Sequence, residues 1–472
     1  MKISANLHRQ RAASAALGLV MTLFAGCATV GPDYVAPKTV TTDQFANASE
    51  SGFTAEQIET QWWKRLNDPA LDELIQRALS ANHDLRIAVA RLKEARAIYR
   101  DAELDYFPSG DVAAKAQRGR NSEAQALGGD RDVELYSLGL DASWELDLFG
   151  RVRRAVEAAE ADAQAAEANV RDARVSVIAE VARNYFEYRG AQLQLAVARR
   201  NLDNQKQTYK LTELRLDAGR GTQLDVARAA TQFNVTAAAI PLQEIAVKRA
   251  QHRLAVLLGE SPATFKLTAP AGLPTLTAAF PVGKPEDLLR RRPDIRIAER
   301  QLAASTARIG VATADLFPRV TLSGFLGFVA TSGSDLGRAA SEAWNLSPTL
   351  SWAAFDLGSV RARLRASEAR SETSLAIYER TVLRALEETE NALVGFGRQQ
   401  TRLAALRAAA QSATRATEFA RLRYDEGATD FLSLLDAERT QLEAESGVAA
   451  AEAQTYTALI AVYKTLGGGW ET

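Results

Sequence analysis

The stretch Leu422–Ala437, LRYDEGATDFLSLLDA, has a counterpart earlier in the chain, Leu214–Ala229, LRLDAGRGTQLDVARA. Both open with Leu-Arg-x-Asp-x-Gly, the glycines being Gly219 and Gly427, and both resume an apolar helical pattern after a few polar residues, at Leu224 and Leu432. Glycine accepts the positive φ at which a helix ends, so each stretch reads as a tight turn between two helices. The chain therefore holds two matching helical hairpins.

The match extends outward from these turns. Asp84–Pro108 (DLRIAVARLKEARAIYRDAELDYFP) returns without a gap as Asp294–Pro318 (DIRIAERQLAASTARIGVATADLFP), 210 residues on. Trp144, Gly150, Val152 and Arg153 return as Trp352, Gly358, Val360 and Arg361, 208 residues on. Gly219 and Gly427 keep that offset of 208, as do Leu258-Gly259 and Leu466-Gly467. Landmarks in one order at nearly one spacing mark an internal duplication.

Between the Phe-Pro and Trp landmarks the period changes from helical to two. Tyr136, Leu138, Leu140, Ala142, Trp144 and Leu146 alternate with Ser137, Gly139, Asp141, Ser143 and Glu145. That predicts a strand with one apolar and one polar face. Trp344, Leu346, Leu350 and Trp352 alternate with Asn345, Ser347, Thr349 and Ser351, and strands about 319–330 and 110–118 are their weaker partners. A soluble sheet with one wet face would also alternate. Lengths near the ~9 to 11 residues that cross a bilayer, and Trp at strand ends, favour membrane strands. The loops Gln117–Asp132 and Thr331–Arg338 would then face outside the cell.

No proline occurs from Ser109 to Ile240, nor from Thr349 to the end, and 151–218 and 359–425 are rich in Ala, Leu, Glu, Gln and Arg. Each reads as one helix on the order of 100 Å long, suited to a coiled coil or helical tunnel. Gly190 and Gly397 interrupt them, which predicts a slight bend. Ala155, Ala158, Ala159, Ala163 and Ala166 permit close helix approach. From Trp62, the positions Leu71, Leu74, Ile75, Ala78 and Leu79 mark an amphipathic helix.

The chain divides accordingly. Residues 1–26 read as an export signal, with Lys2, Arg9 and Arg11 before an apolar run too short to span a bilayer. A linker follows over 27–61. The first repeat covers 62–260, with strands about 110–118 and 133–147 and a hairpin tip about 214–229. A Pro-rich connector covers 261–293. The second repeat covers 294–472, with strands about 319–330 and 344–355 and a tip about 422–437. The fold class is mainly α with a membrane β-barrel, four strands per chain.

Four strands cannot close a barrel, because an open edge in lipid leaves backbone groups unpaired at several kcal/mol each. Two chains would give eight strands and a plugged interior; three would give twelve and room for a passage.

Composition excludes other classes. With a net charge of −1 over 472 residues, and Lys and Arg interleaved with Asp and Glu, nucleic acid is not an expected partner. His8 lies in the signal, leaving His83 and His252 without ligand spacing, and the chain has one cysteine, no P-loop and no nucleophile elbow. Neither catalysis, a metal nor a cofactor is expected.

That cysteine, Cys27 in Leu-Phe-Ala-Gly-Cys-Ala, resembles the lipobox of bacterial lipoproteins, with Phe24 in place of the usual Leu. The resemblance implies lipidation, as by palmitate, and Ala28 rather than Asp after it implies an outer-membrane address. With Gly31-Pro-Asp-Tyr, the duplicated halves, Phe107-Pro108, Phe317-Pro318 and the two tips, the chain resembles the outer-membrane factors of the TolC family, in their lipoprotein (NodT/OprM-like) branch, over nearly its whole mature length.

The resemblance implies a homotrimer whose twelve-stranded barrel continues into an α-helical tunnel in the periplasm. Its implied partners are outer-membrane lipid, a periplasmic membrane-fusion adaptor and an inner-membrane pump of the RND type. It also implies a passive exit duct for small molecules, multidrug efflux included. Leu432 and Asp436 would form an apolar ring and a carboxylate ring at the closed periplasmic end, with Asp225 on the first tip. An apolar constriction resists water and ions, and Asp rings concentrate cations. Ser433 stands where the prototype has a further Asp.

Alternatives stay open at each position. Asp436 could be a solvated helix residue paired with Arg439 at i+3. Arg423 and Tyr424, with Arg439, could latch the hairpins, or Arg423 and Tyr424 could simply end a helix. Gly219 and Gly427 are the expected adaptor contacts, since bare backbone can be approached closely. A lipid-anchored periplasmic coiled-coil scaffold without a pore is the rival reading, and a lipid-anchored hydrolase is a weaker one that lacks a convergent polar site.

Overall fold

The computed structural model describes residues 29–38, 42–48, 53–54, 56, 59–126, 130–267, 272–274 and 280–470. The export signal and Cys27 lie outside the described residues. In chain order the elements are β1 (Phe53–Thr54), α1 (Pro69–Ala81), α2 (His83–Leu104), β2 (Ser109–Arg120), α3 (Glu123–Ala126), β3 (Asp132–Leu146), α4 (Arg151–Asp217) and α5 (Gln223–Leu257). They continue with β4 (Phe280–Pro281), α6 (Pro285–Arg291), α7 (Pro293–Ala314), β5 (Arg319–Ala330), β6 (Glu342–Ser351), α8 (Leu357–Asp425) and α9 (Phe431–Thr465). None of the described helices is long and apolar enough to cross a membrane.

Two compact units form, each drawn from three segments. The first takes residues up to Lys38, Arg91–Glu167 and Ile297–Glu379; the second takes Thr39–Ala90, Ala168–Arg296 and Arg380–Thr472. Both sequence repeats contribute to each unit.

The first unit contains one antiparallel sheet in the order β2-β3-β5-β6. Its two hairpins share a register: Ser109 faces Ser143 in the first, and Arg319 faces Ser351 in the second. These are equivalent pairs under the 210 and 208 offsets. Facing residues lie on the same side of a sheet, so the register sorts the strands into two faces. Even numbers collect Val112, Leu138, Leu140, Trp144, Leu322, Leu326, Phe328, Trp344, Leu346 and Leu350; odd numbers collect Asp111, Lys115, Gln117, Ser137, Asp141, Ser143, Glu145, Ser323, Asn345, Ser347 and Thr349. The apolar face is bare, with Trp344 77% and Leu326 63% exposed. Neither β2 nor β6 has a partner on its outer edge among the described residues.

Several expectations need correction. Six strands, not four, occur among the described residues, because a two-residue parallel pair, Phe53↔Phe280 and Thr54↔Pro281, forms in the second unit. β2 runs to Arg120 and α3 follows it, which shortens the expected loop from Gln117. β6 stops at Ser351 instead of 355: the chain turns there, Asp356 donating to Ala353 O at 2.9 Å, before α8 starts. Trp352 thus sits just past the strand. Its indole donates to Leu316 O at 3.0 Å, as Trp144 donates to Tyr106 O at 3.0 Å.

The Gly31-Pro-Asp-Tyr motif acquires a role in this unit. Arg154, almost fully buried, donates to Val30 O at 3.2 Å, Gly31 O at 3.2 Å and Asp33 Oδ1 at 2.7 Å, while the Tyr34 hydroxyl donates to Glu299 Oε1 at 2.6 Å. Gly31, at φ +86°, lies against the backbone of Gly310, where a Cβ has no room. Along α4, Val152, Arg154, Val156, Ala158, Ala161, Ala163 and Ala165 are buried. Burial at nearly every second residue marks two faces at 100° per residue, so this helix is covered on two sides. Of the five alanines expected to carry close packing, Ala158 and Ala163 are buried and Ala155, Ala159 and Ala166 half-buried.

The second unit has an aromatic core. Trp62 stacks on Tyr463 at 4.7 Å, Phe186 on Tyr456 at 4.3 Å, and Phe280 meets Phe396 edge-on at 5.7 Å. α1 starts at a cap: Asp68 accepts from Ala70 N at 3.1 Å and Leu71 N at 3.3 Å, with Pro69 in the first turn, and Leu71, Leu74, Ile75 and Ala78 turn inward. The expected interruptions at Gly190 and Gly397 are absent; α4 and α8 continue through both. Gly190 instead admits Ala453 Cβ of α9, leaving no space for a side chain of its own. Close packing accounts for that glycine.

Candidate functional site at the hairpin tips

Both tips lie in the second unit and are built alike. At the first, Gly219 N donates to Leu216 O at 2.9 Å and Arg220 N to Arg215 O at 2.8 Å. At the second, Gly427 N donates to Tyr424 O at 3.0 Å and Ala428 N to Arg423 O at 2.8 Å. This paired bonding is a Schellman helix end, and it requires a left-handed residue: φ is +70° at Gly219 and +73° at Gly427. Apart from the adjoining backbone, no atom of the described residues lies within 4 Å of where either Cβ would be. The glycines are there for backbone conformation and leave an open surface.

The return helices start with the same device in exchanged chemistry. Thr222 caps α5, accepting from Asp225 N at 3.1 Å while its hydroxyl donates to Asp225 Oδ2 at 2.7 Å. Asp430 caps α9, accepting from Ser433 N at 3.0 Å and from the Ser433 hydroxyl at 2.6 Å. Hydroxyl and carboxylate have traded places between positions 208 apart. Asp225 and Ser433 are therefore capping partners, which explains the serine where a further Asp was expected. The Ser433 hydroxyl and backbone N–H hold the Asp430 carboxyl below its ordinary range.

Behind the second turn, Tyr424, Phe431, Leu434, Leu435 and Ala229 form a buried cluster, with Tyr209, Leu211 and Ala420 packed against it. Tyr424 is 5% exposed. The guanidinium that meets it is not Arg423 but Arg215, whose Cζ lies 4.1 Å from the ring centre and whose Nη2 donates to Asp425 O at 2.8 Å. Burial raises the Tyr424 phenol and the Arg215 charge opposes that rise. Arg423 reaches only Ala428 O, at 3.4 Å, in its own turn. Of the expected latch residues, Tyr424 thus meets Arg215 of the first hairpin, while Arg423 stays within its own turn.

Leu432 and Asp436 both face outward from α9, Leu432 at 49% exposure. Asp436 and Arg439 make no ion pair with each other or with another described residue. A polar lock missed in the sequence lies one turn further in. Glu438, 6% exposed, accepts from the Thr208 hydroxyl at 2.7 Å and from Arg421 Nη2 at 2.8 Å. The signal was present: Phe431, Leu434, Leu435 and Glu438 fall at i, i+3, i+4 and i+7, so a carboxylate occupies the apolar stripe. Along α4 the matching face is also polar, with Asn201, Gln205, Thr208 and Thr212 all buried. Arg200 and Asn201 reach Glu445 at 2.5 and 3.4 Å. Among the described residues no cluster could hold a metal ion.

Comparison with known proteins agrees with this architecture. The family model described as "Outer membrane efflux protein" matches residues 74–260 and 285–468. The outer membrane protein OprJ of Pseudomonas aeruginosa is 34% identical over 460 residues, covering 96% of this chain and 95% of that protein. Nodulation protein T of Rhizobium leguminosarum bv. trifolii is 33% identical over 460 residues, covering 95% and 96% respectively. The solved structure of the outer-membrane channel OprN superposes with a TM-score of 0.90 at 48% identity, over 94% of this chain and all of that one. The open-state channel MtrE of Neisseria gonorrhoeae superposes at 0.83 with 30% identity, over 94% and 99%. With both repeats matched and relatives aligned almost end to end, this chain belongs to the outer membrane efflux protein family of TolC-like channels.

Proposed function

We propose that the chain is the outer-membrane channel subunit of a tripartite efflux pump, a passive duct through which drugs, solvents or other toxic small molecules leave the periplasm. The observation that carries this reading is the sheet: a bare apolar face, a polar face and two open edges on one four-stranded unit. Such edges are tolerated in lipid only when closed, and three copies give a twelve-stranded barrel whose polar odd face lines the passage. The relatives SrpC and TtgI of Pseudomonas putida are named as outer membrane proteins of solvent and toluene efflux pumps.

In this proposal Cys27 carries the lipid, and the open glycine turns at Gly219 and Gly427 take the periplasmic adaptor, which links the duct to an inner-membrane pump of the RND type. Leu432 and Asp436 form the constriction, because both project from the tip helix and neither side chain has a partner among the described residues. Asp225, which also accepts from the Thr222 hydroxyl at its helix cap, joins them from the first tip.

Single-channel conductance of the detergent-extracted protein in planar bilayers, with trimer mobility on unheated gels, tests this reading. A trimer that conducts, with conductance rising in Leu432→Ala and Asp436→Ala, is expected. A protein released without strong detergent and giving no channels would favour the pore-free scaffold. Unchanged conductance in both mutants would remove the constriction from these residues.

A further inference from the structure

The two repeats leave the sheet by equivalent paths, Trp144 to Glu157 and Trp352 to Arg365, 208 residues apart, but their charges differ. On the first path Asp147 accepts from Val152 N at 3.0 Å, Arg153 N at 2.9 Å and Arg153 Nε at 3.1 Å. Glu157 accepts from Arg154 Nη1 at 2.7 Å. On the second path Phe355 stands at the place of Asp147 and Arg365 at the place of Glu157, while Arg361 keeps the place of Arg153. Two carboxylates have become an aromatic ring and a second cation. Arg361 and Arg365 are exposed and make no ion pair among the described residues, and Phe355 is fully exposed.

The first turns of α8 direct these groups to one side. Val360 and Ser367 are buried against their own chain. Arg363 lines a cleft with Glu145 and Arg319, which belong to the polar face of the sheet. At 100° per residue, Arg361 and Arg365 both lie about 160° round the helix from Arg363, on the side of the apolar face. One turn apart, they are neighbours. Trp352, half exposed, ends the apolar face at the same edge.

We propose that Arg361, Arg365, Phe355 and Trp352 form a site for the head of an anionic phospholipid in the periplasmic leaflet. The inference rests on the membrane barrel proposed above and adds a lipid preference to it. The acyl chains lie against the apolar face at Leu350, and the phosphate meets two guanidinium groups, whose flat forks match its oxygens. The indole and phenyl rings sit at head-group level, where aromatic side chains are at home. Charge selects the head. An ammonium-bearing head would bring a third cation to a side whose first carboxylate, Glu368, lies a turn beyond Arg361 and Arg365. Asp356, just before the helix, pairs with neither arginine among the described residues.

Each basic group held at an anionic membrane surface contributes roughly fivefold in affinity, so the pair should give about 25-fold. The full-length protein in detergent micelles would be titrated with fluorescent phosphatidylglycerol and with phosphatidylcholine carrying the same label, binding being read by anisotropy. The parent should prefer phosphatidylglycerol by about 25-fold, and Arg361→Gln with Arg365→Gln should bring the two lipids to parity. Phe355→Asp returns the first repeat's carboxylate to Arg361 and should remove about fivefold of the preference with both arginines in place. Arg363→Gln, on the far side of the same turns, should leave it unchanged. A parent without the preference, or a preference that survives the double variant, overturns the site. Displacement of the bound label by inorganic phosphate as readily as by unlabelled phosphatidylglycerol would make it a site for free anions and overturn the lipid assignment. Trimer mobility on unheated gels and bilayer conductance are read on the same samples. A conducting trimer without the preference removes this inference alone, whereas loss of both trimer and conductance in the parent removes the barrel reading beneath it.

Discussion

Arg215 lies with its guanidinium 4.1 Å over the Tyr424 ring and its Nη2 2.8 Å from Asp425 O, so that the end of the first hairpin helix holds the end of the second. Arg423, its equivalent in the repeat, makes no such contact among the described residues. This bridge is therefore made in one direction only. A stacked cation and one hydrogen bond at a half-buried site are together worth about 1 kcal/mol. Arg215→Met should raise the open fraction of the tip by about fivefold, read as faster chymotrypsin cleavage near Tyr424 and Phe431. Arg423→Met should change that rate little. Equal rates in the two variants would show that the bridge does not hold the tips.

The Glu438 lock behaves as a buried charge with two donors. Removing Arg421 leaves the carboxylate with Thr208 alone, and breaking such a pair costs about 3 kcal/mol, less whatever water recovers at the partly exposed Arg421 side. Arg421→Ala should therefore lower the melting temperature clearly. Arg421→Ala combined with Glu438→Leu should regain most of the loss, because the stripe of Phe431, Leu434 and Leu435 then continues as an apolar one. A double variant no more stable than Arg421→Ala would mean that the lock contributes net stability of its own.

The cap of the second tip responds to acid. Asp430 has its folded pKa lowered by Ser433, so the stabilisation is present above the unfolded carboxylate value near 4 and is lost as pH falls through the lower folded value. The Ser433 amide should accordingly exchange hydrogen faster below about pH 4, and Asp430→Asn should remove that acid dependence. Thr222→Ala, which removes the corresponding cap of α5, should cost about 1 kcal/mol at neutral pH. An acid response that persists in Asp430→Asn would assign it to another group.

Asp68 sits at the centre of the second unit. Besides capping α1, it accepts from the Tyr185 hydroxyl at 2.8 Å and from Arg189 Nη1 at 2.8 Å, with both charged side chains 4% exposed. Burial, then the Asp68 hydrogen bond, pushes the Tyr185 phenol far above its ordinary value, so it stays a donor across the working pH range. Asp68→Ala leaves a buried guanidinium uncompensated and should cost about 3 to 5 kcal/mol, with Asp68→Asn intermediate, measured by thermal melting. A loss below 1 kcal/mol in Asp68→Ala would show that water replaces the carboxylate.

The hairpin turns were legible because each rule involved is local. A Schellman end needs a glycine at one position, and Gly219 and Gly427 stand there in equivalent sequence. The alternation from Tyr136 to Leu146 was equally legible, since a two-faced strand writes its period into its side chains. Partners across the fold were not. Nothing near Tyr424 in sequence names Arg215, and the neighbouring Arg423 was the natural candidate. Glu438 could have been noticed on its apolar stripe, but its donors Thr208 and Arg421 come from other helices. Gly190 stands out in the sequence only as a residue that disfavours helix, and only the tertiary structure shows the Ala453 side chain packed against it.

By itself the sequence determined the repeat, the helix and strand periods, the two glycine turns and the polarity of the sheet faces, all properties of residues within a few positions of each other. Tertiary structure decided which hairpins share a sheet, which arginine holds Tyr424, and why Asp225 and Ser433 differ across the repeat. Those choices depend on groups up to hundreds of residues apart brought within hydrogen-bonding distance, and local periodicity carries no record of that distance.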